Sequence, residues 1–101
     1  MPKQIVSTAA APAAIGPYSQ AVRAANTVYL SGQIGLGPAT QQLAGPDFEA
    51  QVRQAFRNLA AVAQAAGGSL ADAVKFTLFL TDLANFAQVN AIMGEVVPQP
   101  Y

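Results

Sequence analysis

Residues 47–82 read DFEAQVRQAFRNLAAVAQAAGGSLADAVKFTLFLTD, and the change of period inside this stretch decides the fold class. Phe48, Val52, Ala55, Phe56, Leu59, Val62, Ala63 and Ala66 recur at helical spacing, with Glu49, Arg53, Gln54, Arg57 and Gln64 on the other side. A first helix is expected from about Asp47 to Ala66. Glu49 and Arg53 stand four apart and can pair weakly on its surface. Gly67-Gly68 ends it, because glycine takes the left-handed cap conformation at little cost. From Ala73 to Thr81 the period drops to two. Val74, Phe76, Leu78 and Leu80 face one side, and Lys75, Thr77, Phe79 and Thr81 the other. This is the clearest strand of the chain. Asp82 then suits the N-cap of a second helix over about Leu83–Val97. Its inner stripe would hold Leu83, Phe86, Ala87, Asn90 and Val97, and Pro98-Gln99-Pro100 stops it.

Working towards the N-terminus, Gly35 to Pro46 is a loop punctuated by glycine and proline. Thr27–Ile34 reads as a strand, with Val28 and Leu30 facing one way and Tyr29 and Ser31 the other. Ala24-Ala25-Asn26 forms the turn to a preceding strand, Tyr18–Ala24, and Ile5-Val6 is a short edge strand. The order is strand, strand, strand, helix, strand, helix. That order implies an α+β domain, a mixed sheet with two helices packed on one face.

Length and composition exclude much. The 101 residues suit one domain. Apolar residues make up 52% and charged residues 10%, against roughly a quarter charged in soluble proteins generally. Disorder is excluded on that basis. So few charges fit either apolar surface covered by another subunit or an alanine-rich bias. Net charge is zero and the basic residues are scattered, so no basic run tracks a nucleic-acid backbone. Cysteine and histidine are both absent. Disulfides, thiolate metal sites and the commonest neutral-pH general base are therefore out. The glycines at 35 and 37 lack the Lys-Ser/Thr ending of a phosphate-binding loop. No apolar run is long enough to span a bilayer, and the first residues do not read as a signal peptide. A cytoplasmic protein with no membrane partner is the expectation.

Chemistry must then come from carboxylates, Arg, Lys, Tyr, hydroxyls, amides and the main chain. Asp47 and Asp82 suit helix caps, Glu49 and Glu95 lie on exposed helix faces, and Asp72 falls in a turn, so no acid/base pair stands out. Tyr18 follows Gly16-Pro17 and could aim its hydroxyl into a cleft; an ordinary half-buried strand tyrosine is the plainer role. Ser31-Gly32-Gln33 ends a strand, where glycine admits either a ligand or a strand bulge. Asn90 on an apolar stripe needs polar partners, which a structural bond or a ligand could supply.

Two long stretches, Ala11-Pro12-Ala13-Ala14-Ile15-Gly16-Pro17-Tyr18-Ser19-Gln20-Ala21-Val22 and Val28-Tyr29-Leu30-Ser31-Gly32-Gln33-Ile34, stand out together. With them go Gln51 to Leu59, Ala65-Ala66-Gly67, Val74-Lys75-Phe76-Thr77, Phe79-Leu80-Thr81-Asp82-Leu83 and Phe86-Ala87-Gln88-Val89-Asn90. In these blocks, in this order, the chain resembles the RidA-type (YjgF-like) imine and enamine deaminases. Membership implies a chorismate-mutase-like α+β fold and a homotrimer with ligand clefts between subunits. It implies hydrolysis of reactive 2-imino and enamine acids to 2-keto acids and ammonia, without metal or organic cofactor. Tyr18, Ser31, Gly32 (through its carbonyl) and Asn90 would line the cleft.

The family's carboxylate-binding arginine, in a Pro-Ala-Arg-Ser/Thr segment, and a later water-positioning glutamate would follow Pro100-Tyr101. The last two strands would follow as well, so the catalytic residues are unassigned within residues 1–101 and the chain reads as a RidA-type domain cut short at its C-terminus. Arg53 and Arg57, on the first helix, do not replace that arginine. Two other functions stay open: a non-catalytic small-acid-binding or chaperone-like subunit, and an endoribonuclease, which the missing histidine and neutral charge argue against.

Overall fold

The structure is a computed structural model that describes residues 2–101. Three short strands, β1 (Lys3–Val6), β2 (Ala21–Ala24) and β3 (Thr27–Leu30), form an antiparallel sheet in the order β1-β2-β3. Alternation gives this sheet two unlike faces. Val6, Ala21 and Leu30 stand in register on the inner face, and Ile5, Val22 and Tyr29 on the outer one. Ala25, at φ 53, makes the turn between β2 and β3 in the left-handed region. Both hairpin strands are shorter than expected. Past Ala21 and Leu30 one more main-chain bond forms, from Ser31 N–H to the Gln20 carbonyl at 3.0 Å, and then the two chains separate.

The helix α1 (Phe48–Ala65) begins where Asp47 accepts a hydrogen bond from Ala50 N–H at 3.3 Å. It ends in a Schellman motif. Gly67 N–H donates to the Gln64 carbonyl and Gly68 N–H to the Ala63 carbonyl, each at 3.0 Å, with Gly67 at φ 93. The Arg23 guanidinium, reaching across from β2, donates to the Ala66 carbonyl at the same end. A short 3-10 turn over Leu70–Asp72 follows, closed by a capping box between Ser69 and Asp72.

Residues 73–81 depart from expectation. They form no strand, and among the described residues none of 74–81 makes a main-chain hydrogen bond to another backbone group. The alternating pattern is real, but a strand exists only when a neighbour supplies ladder partners, and β1–β3 do not. Phe76 still turns inward, its ring 6.4 Å from that of Phe56 in an edge-on arrangement. Val74 and Phe79 are 100% and 91% exposed.

Asp82 caps as expected, accepting from Ala84 N–H at 2.9 Å, but the turn that it starts is a 3-10 turn, Leu83–Asn85. The helix α2 (Phe86–Val96) comes after it. The side of α2 that meets α1 is the one carrying Ile92 and Met93. The buried positions are Val89, Ile92 and Val97, whereas Leu83, Phe86 and Asn90 of the expected stripe are exposed.

The core has two clusters joined at Leu30. Ala11, Ala21 and Val62 pack with Val6 and Val28 between α1 and the inner sheet face. Phe56, Ala63, Leu70 and Ile92 pack with Val52, Leu59, Phe76 and Met93 between the helices. Outside, Arg53 joins α1 to α2 by binding Glu49 and Glu95, each at 2.9 Å. These two bonds, to Glu49 first, hold its guanidinium above its ordinary pKa.

Candidate functional site

The site is assembled at the end of β2–β3 opposite the Ala25 turn, where the chains part. Ser31 donates its hydroxyl to the Ser19 carbonyl and its N–H to the Gln20 carbonyl. The residue after it, Gly32, is exposed, and a Cβ built on it would meet nothing within 4 Å. Space is therefore open above Gly32, and its main chain is free to meet a ligand.

Tyr18 lies one residue before Ser19, on the chain that Ser31 grips. Gly16, at φ 116, reverses the chain ahead of it, and Tyr18 N–H donates to the Gly16 carbonyl at 2.9 Å. The Tyr18 hydroxyl oxygen accepts from Ile15 N–H at 3.4 Å while the ring stays half exposed. Tyr18 is thus a surface residue of a tight turn, not a packed strand tyrosine.

The segment beyond Gly32 is pinned to α1. Asn58 is fully buried and donates its amide to the Ile34 and Leu36 carbonyls at 3.1 and 2.9 Å. Its own carbonyl oxygen accepts from Gln54 Nε2 at 2.9 Å. Between these anchors Gly35 passes so near α1 that a Cβ would lie 2.6 Å from the Gln51 Cα and carbonyl oxygen. Only glycine fits that crossing.

The Ser19–Ser31 bond brings the main chain of Tyr18 near Ser31 and Gly32, while the Tyr18 hydroxyl turns back to Ile15 N–H. Asn90 lies apart from them. It lines a different hollow, of about 480 Å³, with Val74, Lys75, Phe76, Met93 and Tyr101. Asn90 is exposed, and of the two kinds of partner open to it the structural bond is not formed among the described residues. Within one chain the four residues make two separate groups.

All five carboxylates are engaged structurally: Asp47 and Asp82 at caps, Asp72 with Ser69 N–H, and Glu49 and Glu95 with Arg53. No cluster of metal-ligating side chains exists among the described residues.

Sequence reasoning did not single out Gln20, Asn58 or Gly35. For Asn58 a signal was present, since it falls inside the apolar arc between Ala55 and Val62, where a buried amide demands partners. Gly35 carried none, because a close backbone crossing leaves no trace in composition.

The arrangement is that of a known family. The family model described as endoribonuclease L-PSP matches residues 8–101. A 2-iminobutanoate/2-iminopropanoate deaminase from Dermatophagoides farinae is 43% identical over 99% of this chain and 78% of its own length. Reactive Intermediate Deaminase A, chloroplastic, from Arabidopsis thaliana is 44% identical over 97% of this chain, which spans 52% of that protein. Among solved structures, RidA from the Antarctic bacterium Psychrobacter superposes with a TM-score of 0.93 at 50% identity, over 97% of this chain and 79% of its own. The chain belongs to the endoribonuclease L-PSP family, and its fold is the α+β fold of the RidA/YjgF proteins within it.

Proposed function

We propose that the protein hydrolyses reactive 2-imino and enamine acids to 2-keto acids and ammonia. The observation that carries this reading is the 43% identity to a named deaminase along nearly the entire chain. The open, hydroxyl-lined end of β2–β3 is compatible with it. In the reaction, water adds to the imine carbon and the C=N electron pair moves to nitrogen. One proton of the water moves to that nitrogen, and the second passes from the new hydroxyl to the nitrogen as the tetrahedral carbon forms its C=O bond and expels ammonia. An enamine enters after protonation at its β-carbon. The imine carbon is already electrophilic, so orientation provides much of the gain. Tyr18, Ser31 and the Gly32 carbonyl hold the substrate in this reading, and Asn90 faces it from a neighbouring subunit. No cofactor takes part.

The assembly proposed is a homotrimer with clefts between subunits, in the cytoplasm. In support, Ile5 and Tyr29 are 58% and 65% exposed on an outer sheet face that neither helix covers. The domain proposed is one whose remaining strands, beyond Tyr101, pair with residues 73–81 and bring the carboxylate-binding arginine and the water-positioning glutamate. The unpaired backbone of 74–81 supports that arrangement. A non-catalytic small-acid-binding role is the second reading, favoured by the structural engagement of every carboxylate.

A paired assay tests the proposal. Residues 1–101 and a chain extended by the family's last two strands are compared for keto acid formation from an imine generated in situ. Acceleration by the extended form is expected. Binding of a 2-keto acid by that form without any acceleration would favour the second reading.

A further inference from the structure

Gln20 is 3% exposed, yet its partners belong to no helix or strand. Its Nε2 donates to the Thr8, Ala11 and Pro12 carbonyls at 3.0, 3.2 and 2.7 Å. Its Oε1 accepts from Thr8 N–H at 2.6 Å. A buried amide commonly satisfies itself on the nearest ladder or core group. This one spends both of its ends on a single turn, residues 8–12. The bond to Pro12 brings the two ends of segment 13–19 together, and Tyr18 lies inside the closed loop. From the other side, the main-chain carbonyl of Gln20 takes the Ser31 N–H, and the Ser19 carbonyl takes the Ser31 hydroxyl. One residue therefore joins the Tyr18 loop to the end of β3 that carries Ser31 and Gly32.

We propose that Gln20 is a positioning residue, which sets Tyr18 against Ser31 and Gly32 by closing the 13–19 loop on the 8–12 turn. It does not touch substrate. Its amide fixes where the tyrosine ring stands relative to the open space over Gly32, and the ring's freedom is what its loss would restore. The catalytic part of this role rests on the deaminase reading above. The clamp itself does not.

The test uses Gln20→Met, which keeps length and loses every amide bond, in the assembled full-length protein. Thr8→Pro, which deletes the Thr8 N–H together with the hydroxyl that accepts from Ala10 N–H, is the second variant. Leu70→Ala, in the inter-helix core cluster, is the control for lost stability. Two readouts are taken, the KM and kcat for an imine generated in situ and the amide hydrogen exchange of Thr8, Tyr18 and Ser31. Gln20→Met is expected to raise KM roughly 10- to 100-fold, the scale on which slight misplacement acts, with kcat within about threefold. Exchange at Thr8, Tyr18 and Ser31 is expected to quicken at least tenfold beyond that of α1. Thr8→Pro shifts KM and the exchange of Tyr18 and Ser31 in the same direction, and Leu70→Ala shifts neither selectively. An unchanged KM, with exchange rising evenly along the chain, overturns the proposal. If the unaltered protein shows no turnover, the deaminase reading falls, and the exchange pattern alone decides the clamp: selective release supports it and uniform release rejects it.

Discussion

Gly32 separates a ligand position from a structural one. Nothing lies within 4 Å of a Cβ placed there, and its φ is outside the left-handed region that favours glycine. Gly32→Ala therefore has no steric cost within the chain, and less backbone freedom in the unfolded state stabilises it by about 0.4–1 kcal/mol. Urea titration is expected to show that small gain, while deaminase turnover falls because the methyl group fills the space kept for substrate. A large stability loss would make Gly32 structural. Asn58 is the opposite case. Asn58→Leu removes the side-chain donor from the Leu36 carbonyl and one of the two donors from the Ile34 carbonyl, which keeps the Leu36 N–H. A loss of about 1–3 kcal/mol for the stranded Leu36 carbonyl is expected in urea titration. The residues naming the family were plain in the sequence because Gly-Pro-Tyr and Ser-Gly-Gln punctuate strand ends. The amides of Gln20 and Asn58 gave less away, because what they bind is main chain, which is the same at every position.

At the scale of elements, the cap residues were legible and the pairing was not. Asp47, Asp82 and Gly67 act through bonds to residues two to four positions away, so local sequence suffices to find them. Residues 73–81 have the alternation of a strand, but ladder bonds depend on a neighbour that no local pattern encodes. The stripe of α2 was misplaced for a related reason. The helix carries apolar residues round much of its circumference, Phe86, Ala87, Val89, Ile92 and Met93 among them, so its pattern alone does not choose the side that meets α1. Within residues 1–101, Val74→Thr is expected to change stability by less than about 0.5 kcal/mol, as exposed substitutions do. Phe76→Ala, which strips the ring packed on Phe56, is expected to cost several times more. Thermal melts of the two variants check the contrast. Equal effects would mean that 73–81 does not pack as described.

For the whole molecule, the unlike faces of the sheet matter most. The inner face is covered by α1 through Val62, and on the outer row Ile5 and Tyr29 are exposed and Val22 partly so in a single chain. If that row is where subunits meet, Tyr29→Lys buries an unpaired charge in the assembly and none in the monomer. Sedimentation of the full-length variant is expected to shift from trimer towards monomer, with the melting temperature falling only as far as lost assembly explains. The separation of Asn90 from Tyr18, Ser31 and Gly32 within one chain agrees with the proposed assembly, since a cleft between subunits is where the two groups would meet. Monomeric Tyr29→Lys is accordingly expected to lose turnover even though no site residue is altered.

Imine hydrolysis is tested most directly by following ammonia and 2-keto acid release from 2-iminobutanoate formed in situ, with and without the protein. Release is expected to be faster than in buffer, to depend on protein concentration and to fall with Gly32→Ala. Release at the buffer rate, by a protein shown to be folded, would contradict imine hydrolysis.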